Sequence, residues 1–192
     1  MSCILIVQGH PDPDPARFCR ALAAAYAEGA AAGGHEVRSL DVASLGIPPL
    51  GSEAEWQAEP PPAVAAAQAD LAWADHLVFF HPLWLGAMPA ALKAFLEQVA
   101  RPGFAFPKGP RGLGRGLLAG KSSRTVVTMG MPALFYRWWY GALALRAFER
   151  NVLAFVGIGP NRHTLIGSVE GLSDAARRGW LARMRELGRA AR

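Results

Sequence analysis

Ile4-Leu5-Ile6-Val7 is a continuous apolar run with no polar position in it. A run of this kind is buried on both faces, as strands of parallel sheets are. The loop Gly9-His10-Pro11-Asp12-Pro13-Asp14-Pro15 follows, rich in turn formers. Phe18, Leu22, Tyr26 and Gly29 then fall at helical spacing, and Gly33-Gly34 stops that helix. Glu36 to Asp41 alternates and predicts an outer strand. Leu45 to Pro62 is rich in Pro, Gly and acidic residues and reads as a long surface excursion. Ala63 to Ala74 predicts a helix, and Leu77-Val78-Phe79-Phe80 a second buried strand. A helix starting near Pro89 carries Met88, Leu92, Phe95, Leu96 and Val99 on one stripe. Thr125 to Thr128 predicts a third buried strand. Met129 to Gly141 reads as aromatic-rich and irregular, and a further helix shows the stripe Leu145, Phe148, Val152, Phe155 and Val156. Arg162 to Ile166 is a last strand. Ser173 caps a final helix with Asp174 in its first turn and Trp180, Met184 and Leu187 facing inward.

The alternation is β-α-β-α-β-α-β-α-β-α, which predicts one α/β domain over residues 1–192 with helices on both faces of a parallel sheet. Ligands in open sheets of this class bind beyond the carboxyl ends of the strands. That rule brings three sequence-distant segments together: Gln8-Gly9-His10, His81-Pro82-Leu83 and Thr128-Met129-Gly130. No GxGxxG follows the first strand, Gly112 to Gly116 breaks that spacing, and no Walker A loop is present. The first loop runs into a helix amino end at Ala16 to Arg20. Unpaired amides there suit a phosphate, with Arg17 adding charge and His10 a hydrogen bond. The alternative is that Asp14 merely caps the helix and Arg17 is solvated. Pro82-Leu83-Trp84-Leu85 supplies an apolar slot for a flat ring, or else ordinary core packing. Thr128 to Met131 offers amides with little obstruction at Gly130.

The 192 residues are 52% hydrophobic and 18% charged, which predicts a deep core and a buried subunit interface. No segment reads as a membrane span, and Met1 to Gln8 lacks the charged start of a secretory signal. Cys3 and Cys19 form no framework and predict reduced thiols in a cytoplasmic protein. The formal charge is +5. Lys108, Arg111 and Arg115 are spaced by glycines and read as a loop or a phosphate-attracting rim. The arginines from Arg177 to Arg192 read as a solvated helix face, and neither group has the pattern of a nucleic-acid site. No histidines pair at i,i+4 and no HExxH occurs, so no metal site is expected; no GxSxG supports a hydrolase. Cys19, near the helix start, is either activated or simply buried beside Leu22. Phe135 to Tyr140 holds five aromatics in six residues, more than one helix face can bury, which points to an interface or a substrate pocket, with core packing and a membrane surface as the alternatives.

An ordered set of segments carries a resemblance. It comprises Ile4 to Pro11, Arg17-Phe18, Glu36 to Asp41, Phe80-His81-Pro82-Leu83-Trp84 with Gly86, Met88-Pro89, Leu92-Lys93 with Phe95, Arg101 to Phe106, Gly120-Lys121 and Val127-Thr128. In these the chain resembles the NAD(P)H:quinone oxidoreductases of the flavodoxin-like superfamily, including flavoprotein partners of glutathione-gated potassium efflux systems. The resemblance implies a flavodoxin-like sandwich with a five-stranded parallel sheet of order 2-1-3-4-5. It implies a bound flavin, FAD or FMN, with NAD(P)H as co-substrate and a quinone-like acceptor reduced by a ping-pong mechanism. His10 and Ala16, Arg17, Phe18 and Cys19 are implied to hold the flavin phosphate. Pro82, Leu83, Trp84 and Leu85 are implied to line the ring, and Thr128, Met129, Gly130 and Met131 to reach its polar edge. Tyr136 falls where a tyrosine stands beside the flavin, and a homodimer is implied, with each site completed by the partner. The chain departs from the family in three places, one of them the loop Pro11 to Arg17, which is proline-rich rather than hydroxyl-rich and leaves FMN against FAD open. Thr128-Met129-Gly130-Met131 replaces Thr-Thr-Gly-Gly, and no histidine follows Tyr136 between Trp138 and Ala142, so no Tyr/His relay is implied. Three other readings stay open: a flavodoxin-type electron carrier (usually acidic, unlike this chain), a regulatory subunit of a membrane transporter, and a flavin reductase or azoreductase with another acceptor.

Overall fold

The structure, a computed structural model, describes residues 1–109 and 116–192. Arg111, Arg115 and Gly112 to Gly114 of the glycine-spaced basic segment lie outside the described residues. Five strands form one parallel sheet: β1 (Cys3–Gln8), β2 (Glu36–Asp41), β3 (His76–Pro82), β4 (Ser122–Thr128) and β5 (Asn161–Ile166). Their order is β2-β1-β3-β4-β5. The sheet order and the flavodoxin-like α/β architecture are thus those that the resemblance implied.

Both faces of the sheet are covered, which is why β1 and β3 carry unbroken apolar runs. On one face, α1 (Phe18–Ala32) and α8 (Asp174–Arg189) pack on Ile4, Ile6, Val78, Phe80, Val126 and Ile166. On the other face lie α4 (Pro62–Trp73), α5 (Ala90–Val99) and a helical stretch after residue 143, against Leu5, Val7, Leu77 and Phe79. Phe79 meets Phe148 edge-on at 5.2 Å between ring centres. The helices α1 and α8 approach backbone to backbone. A Cβ on Gly29 would stand 2.1 Å from the Arg185 carbonyl oxygen, and one on Gly188 2.1 Å from that of Tyr26. Ser173 caps α8 by accepting from the Ala176 amide, as its sequence predicts.

Three stretches differ from their sequence expectation. The long excursion is preceded by a short helix, α2 (Val42–Leu45), and contains another, α3 (Glu53–Gln57), which Arg101 ties down. Its buried guanidinium donates to the carbonyls of Glu55 and Ala58 and to Gln98. The aromatic stretch is not irregular; it forms α6 (Ala133–Trp138). The helix after it is not uniform: α7 (Leu143–Ala147) passes into a π-helical segment, Phe148–Leu153. The wider turn puts Leu153 in the core and turns Phe155 outward. Among the described residues no helix is long and apolar enough to cross a membrane.

Candidate functional site

Register fixes the site. Hydrogen bonds continue past the strand ends, from the Gly9 amide to the Phe80 carbonyl (2.7 Å) and from the Leu83 amide to the Thr128 carbonyl (2.7 Å). The three loops read from the sequence therefore lie side by side over β1, β3 and β4.

The first loop is stiffened by its own carboxylates. Asp12 accepts from the Asp14 amide (2.9 Å) and Asp14 from the Ala16 amide (2.9 Å). Asp14 does not cap the helix; Arg17 occupies the cap position without a side-chain bond. The amides of Phe18 and Cys19 make no hydrogen bond within the described residues, so they face outward as donors at the positive end of a 15-residue helix. Arg17 is neither free nor solvated alone, since it pairs with Asp12 at 2.5 Å. The thiol of Cys19 is buried, which pushes its pKa up to about 12; it is not an activated nucleophile.

His10 accepts the Asp12 amide at Nδ1 (3.1 Å), so its neutral ring carries the proton on Nε2. Burial is the main cause that holds its pKa below the ordinary value, with Arg20 and Arg17 adding to the shift and Asp12 opposing it. The ring stands edge-on to Trp84, 5.9 Å between centres.

The second loop is a two-residue hairpin. Trp84 and Ala87 exchange both backbone bonds (2.9 and 3.0 Å), with Leu85 at φ 46° and Gly86 at φ 79°. That is a type I′ turn, which normally takes Asn, Asp or Gly at its first central position. Leu85 is strained there and fully exposed, and Trp84 is half exposed. Among the described residues the amides of Leu85 and Gly86 are unpaired, whereas that of Leu83 is spent on β4. Pro82 is buried as the last residue of β3 and Leu83 is partly buried.

In the third loop the Met129 amide is given to the Ile166 carbonyl (2.9 Å), and Thr128 and Met129 are buried. Their amides are therefore not rim donors. Among the described residues the amides of Gly130 and Met131 remain unpaired. The carboxylate of Glu170 lies beside Gly130.

Tyr136 departs from its expected place. It is 2% exposed, packed with Val127, Met129, Ala142 and Leu145 behind Leu83. Among the described residues its buried hydroxyl makes no well-formed hydrogen bond, and burial raises its pKa, opposed by the nearby Leu145 backbone. The side chain does not reach the rim of the cleft. Its neighbours do the opposite: Trp138 and Trp139 are each 77% exposed, with Leu134, Phe135, Tyr140 and Leu143 also open. Phe135 and Trp139 stack at 6.0 Å.

Two arginines brace the site: Arg20, which the sequence did not single out, and Arg177, which it placed on a solvated face. Arg20 grips Asp41 with both terminal nitrogens (2.8 and 3.0 Å) and donates to the carbonyls of Asp12 and His10. A cation in the first turn opposes the helix dipole, and that mismatch was its signal. Arg177 is not part of a solvated face. It donates to the Val169 and Leu172 carbonyls and stacks on Phe18 at 5.1 Å.

This geometry can be set beside known proteins. A family model described as flavodoxin-like fold matches residues 2–187. The chain belongs to this flavodoxin-like family. It is 44% identical over 89 residues to KefG of Salmonella paratyphi B, the ancillary protein of a glutathione-regulated potassium-efflux system. That match covers 43% of this chain and 45% of the relative, so the chain spans under half the length of the curated relative it matches. The flavodoxin-like architecture is shared with the NAD(P)H:quinone oxidoreductase of Methanothermobacter marburgensis. Its TM-score is 0.81 and its identity 23%, over 98% of this chain and 96% of that one. It is shared also with an FMN-dependent NADH-azoreductase of Bacillus anthracis str. Ames Ancestor solved in complex with FMN. There the TM-score is 0.77 and the identity 15%, over 99% of this chain and 98% of that one.

Proposed function

We propose that this chain is a flavin-dependent NAD(P)H oxidoreductase that reduces quinone-like acceptors by two electrons. One observation carries the reading. Three pairs of amides unpaired among the described residues, at Phe18-Cys19, Leu85-Gly86 and Gly130-Met131, lie on loops at adjacent strand ends, with the apolar side chains of Leu83, Trp84 and Leu85 on the middle loop. A phosphate-bearing flat heterocycle needs that combination.

The residues fit a flavin. The Phe18 and Cys19 amides, with Ala16 and Arg17 shaping the entry and the His10 Nε2 proton, would hold its phosphate. Trp84 and Leu83 would stack along its ring, backed by Pro82 and Leu85. The amides of Gly130 and Met131 would meet its polar edge, on a turn fixed by Thr128 and Met129. The chemistry such a group supplies is two-electron carriage between a nicotinamide and a quinone. The protein's part is to orient the ring, exclude water from the Leu83 side and offer preorganised amides where negative charge gathers. NAD(P)H and the acceptor would use the same open face of Trp84 in turn, which is a ping-pong order. The FMN complex of the azoreductase with this fold favours FMN over FAD. We place no proton transfer on Tyr136, whose hydroxyl is enclosed; its role is to pack behind Leu83.

Leu134, Phe135, Trp138, Trp139, Tyr140 and Leu143 form an exposed apolar face beside the cleft that supports a homodimer. The KefG relative supports a second reading, an ancillary subunit at a membrane transporter on the cytoplasmic side. Steady-state NAD(P)H oxidation with menadione, with FMN or FAD added, tests the main reading. Turnover that depends on menadione and is lost in a Gly130→Pro variant supports it. Flavin binding without turnover, together with capture of a transporter from membranes, favours the second.

A further inference from the structure

The carboxyl end of β5 delivers a fourth loop to the cleft. Gly167 meets the third loop backbone to backbone: a Cβ on it would stand 2.2 Å from the Ala133 nitrogen and 2.7 Å from the Met131 carbonyl oxygen. Ser168 then takes a left-handed conformation, at φ 51°. Its amide donates to the Met131 carbonyl (3.0 Å), and the Val169 amide donates to the Met129 carbonyl (3.2 Å). From the other side Arg177 donates to the carbonyls of Val169 and Leu172. The backbone of residues 167–172 is therefore held on both sides. It carries Glu170, whose Oε1 lies 3.6 Å from the place a Cβ on Gly130 would take.

Glu170 differs from the other carboxylates around the cleft. Asp12 is paired with Arg17, Asp41 with both terminal nitrogens of Arg20, and Asp14 accepts the Ala16 amide. Glu170 is exposed and makes no ion pair among the described residues. Arg177, on the next helix, directs its guanidinium to backbone carbonyls and to the Phe18 ring instead. An uncompensated negative charge thus stands beside the amides of Gly130 and Met131. Those amides attract negative charge arriving at the third loop, and the carboxylate repels it.

We propose that Glu170 sets the reduction potential of the bound flavin, holding it low by opposing the negative charge that reduction places on the flavin's polar edge. This rests on the flavin reading above and deepens it. An oxidised flavin ring is neutral, so a nearby carboxylate costs it little. Two-electron reduction adds negative charge at the edge that Gly130 and Met131 would meet. A like charge within about one Debye length, roughly 10 Å at 0.1 M salt, disfavours that form. Amides alone would stabilise the reduced flavin and make it a weak donor. The carboxylate offsets part of that stabilisation, which keeps the reduced flavin able to pass its electrons to a quinone-like acceptor.

The midpoint potential of FMN bound to the parent, to Glu170→Gln, to Glu170→Asp and to Glu28→Gln tests this. Glu28 lies late in α1 and pairs with Arg185, so its variant makes the same change in net charge away from the cleft. Glu170→Gln is expected to favour the reduced flavin by about three- to tenfold, an upward shift of roughly 15–30 mV for a two-electron couple. The shift should shrink as salt is raised from about 0.01 M to about 1 M. Affinity for oxidised FMN should stay within about twofold of the parent, because that ring is neutral. Glu170→Asp, which keeps the charge, and Glu28→Gln should both stay near the parent potential. An unchanged potential in Glu170→Gln would overturn the proposal, as would an equal shift in Glu28→Gln. So would a salt-independent shift accompanied by loss of oxidised FMN, which is the mark of a merely structural role. Absence of saturable FMN binding to the parent is a separate failure: it overturns the flavin reading and this proposal with it.

Discussion

Leu85 sits in a left-handed conformation that costs an L-residue about 1–2 kcal/mol, and it buries nothing in return. Strain kept at an exposed position points to a contact made only when something binds. Leu85→Gly is therefore expected to raise the stability of the flavin-free protein by about 0.5–1 kcal/mol in urea unfolding, while weakening flavin affinity. Tyr136 makes the opposite case. Among the described residues its buried hydroxyl makes no well-formed hydrogen bond, so Tyr136→Phe is expected to be neutral or stabilising by up to about 1 kcal/mol, with kcat for menadione reduction unchanged. A large loss of kcat would restore a chemical role to that phenol. The sequence placed Tyr136 by analogy of position, and position does not tell which way a side chain faces. For Arg20 the sequence did carry a hint, a cation in the first turn of α1, though nothing in it named Asp41 as the partner.

Among elements, β1 and β3 were the most legible, because they are buried on both faces and leave unbroken apolar runs, whereas the equally buried β4 shows only Val126-Val127 between threonines. The six-residue α6 left no such trace. Tyr136 alone among its residues is buried, so no helical stripe exists to be read. The π-helical segment was invisible for a related reason: one extra residue per turn exchanges Leu153 for Val152 in the core, and the stripe still looks regular in sequence. The α1/α8 pair depends on two glycines in backbone contact. Gly29→Ala places a methyl group where the Arg185 carbonyl stands, so the helices must separate. The expected cost is about 2–3 kcal/mol, seen as a lowered urea midpoint. A variant as stable as the parent would show that the pair has slack.

At the scale of the whole molecule, three buried histidines make stability depend on pH. His76 and His81 are pushed down to about 4, mainly by burial, and His10 is held below its ordinary 6.5. The native state therefore keeps all three neutral where the unfolded chain protonates them. Their contribution is complete above about pH 6.5 and is lost as pH falls toward 4, because unfolding takes up protons in that window. Thermal unfolding followed from pH 7.5 to 4.5 should show a steady fall in midpoint; a flat profile would contradict the buried, neutral histidines.

In the cleft, parallel register brings residues 8–19, 82–87 and 128–131 together. Whether those loops hold a flavin is measured most directly by titrating flavin-free protein with FMN and with FAD and following the quenching of flavin fluorescence. Saturation at one flavin per chain, with affinity lowered in Gly130→Pro, is the predicted result. No saturable binding of either flavin by the folded protein would contradict the account.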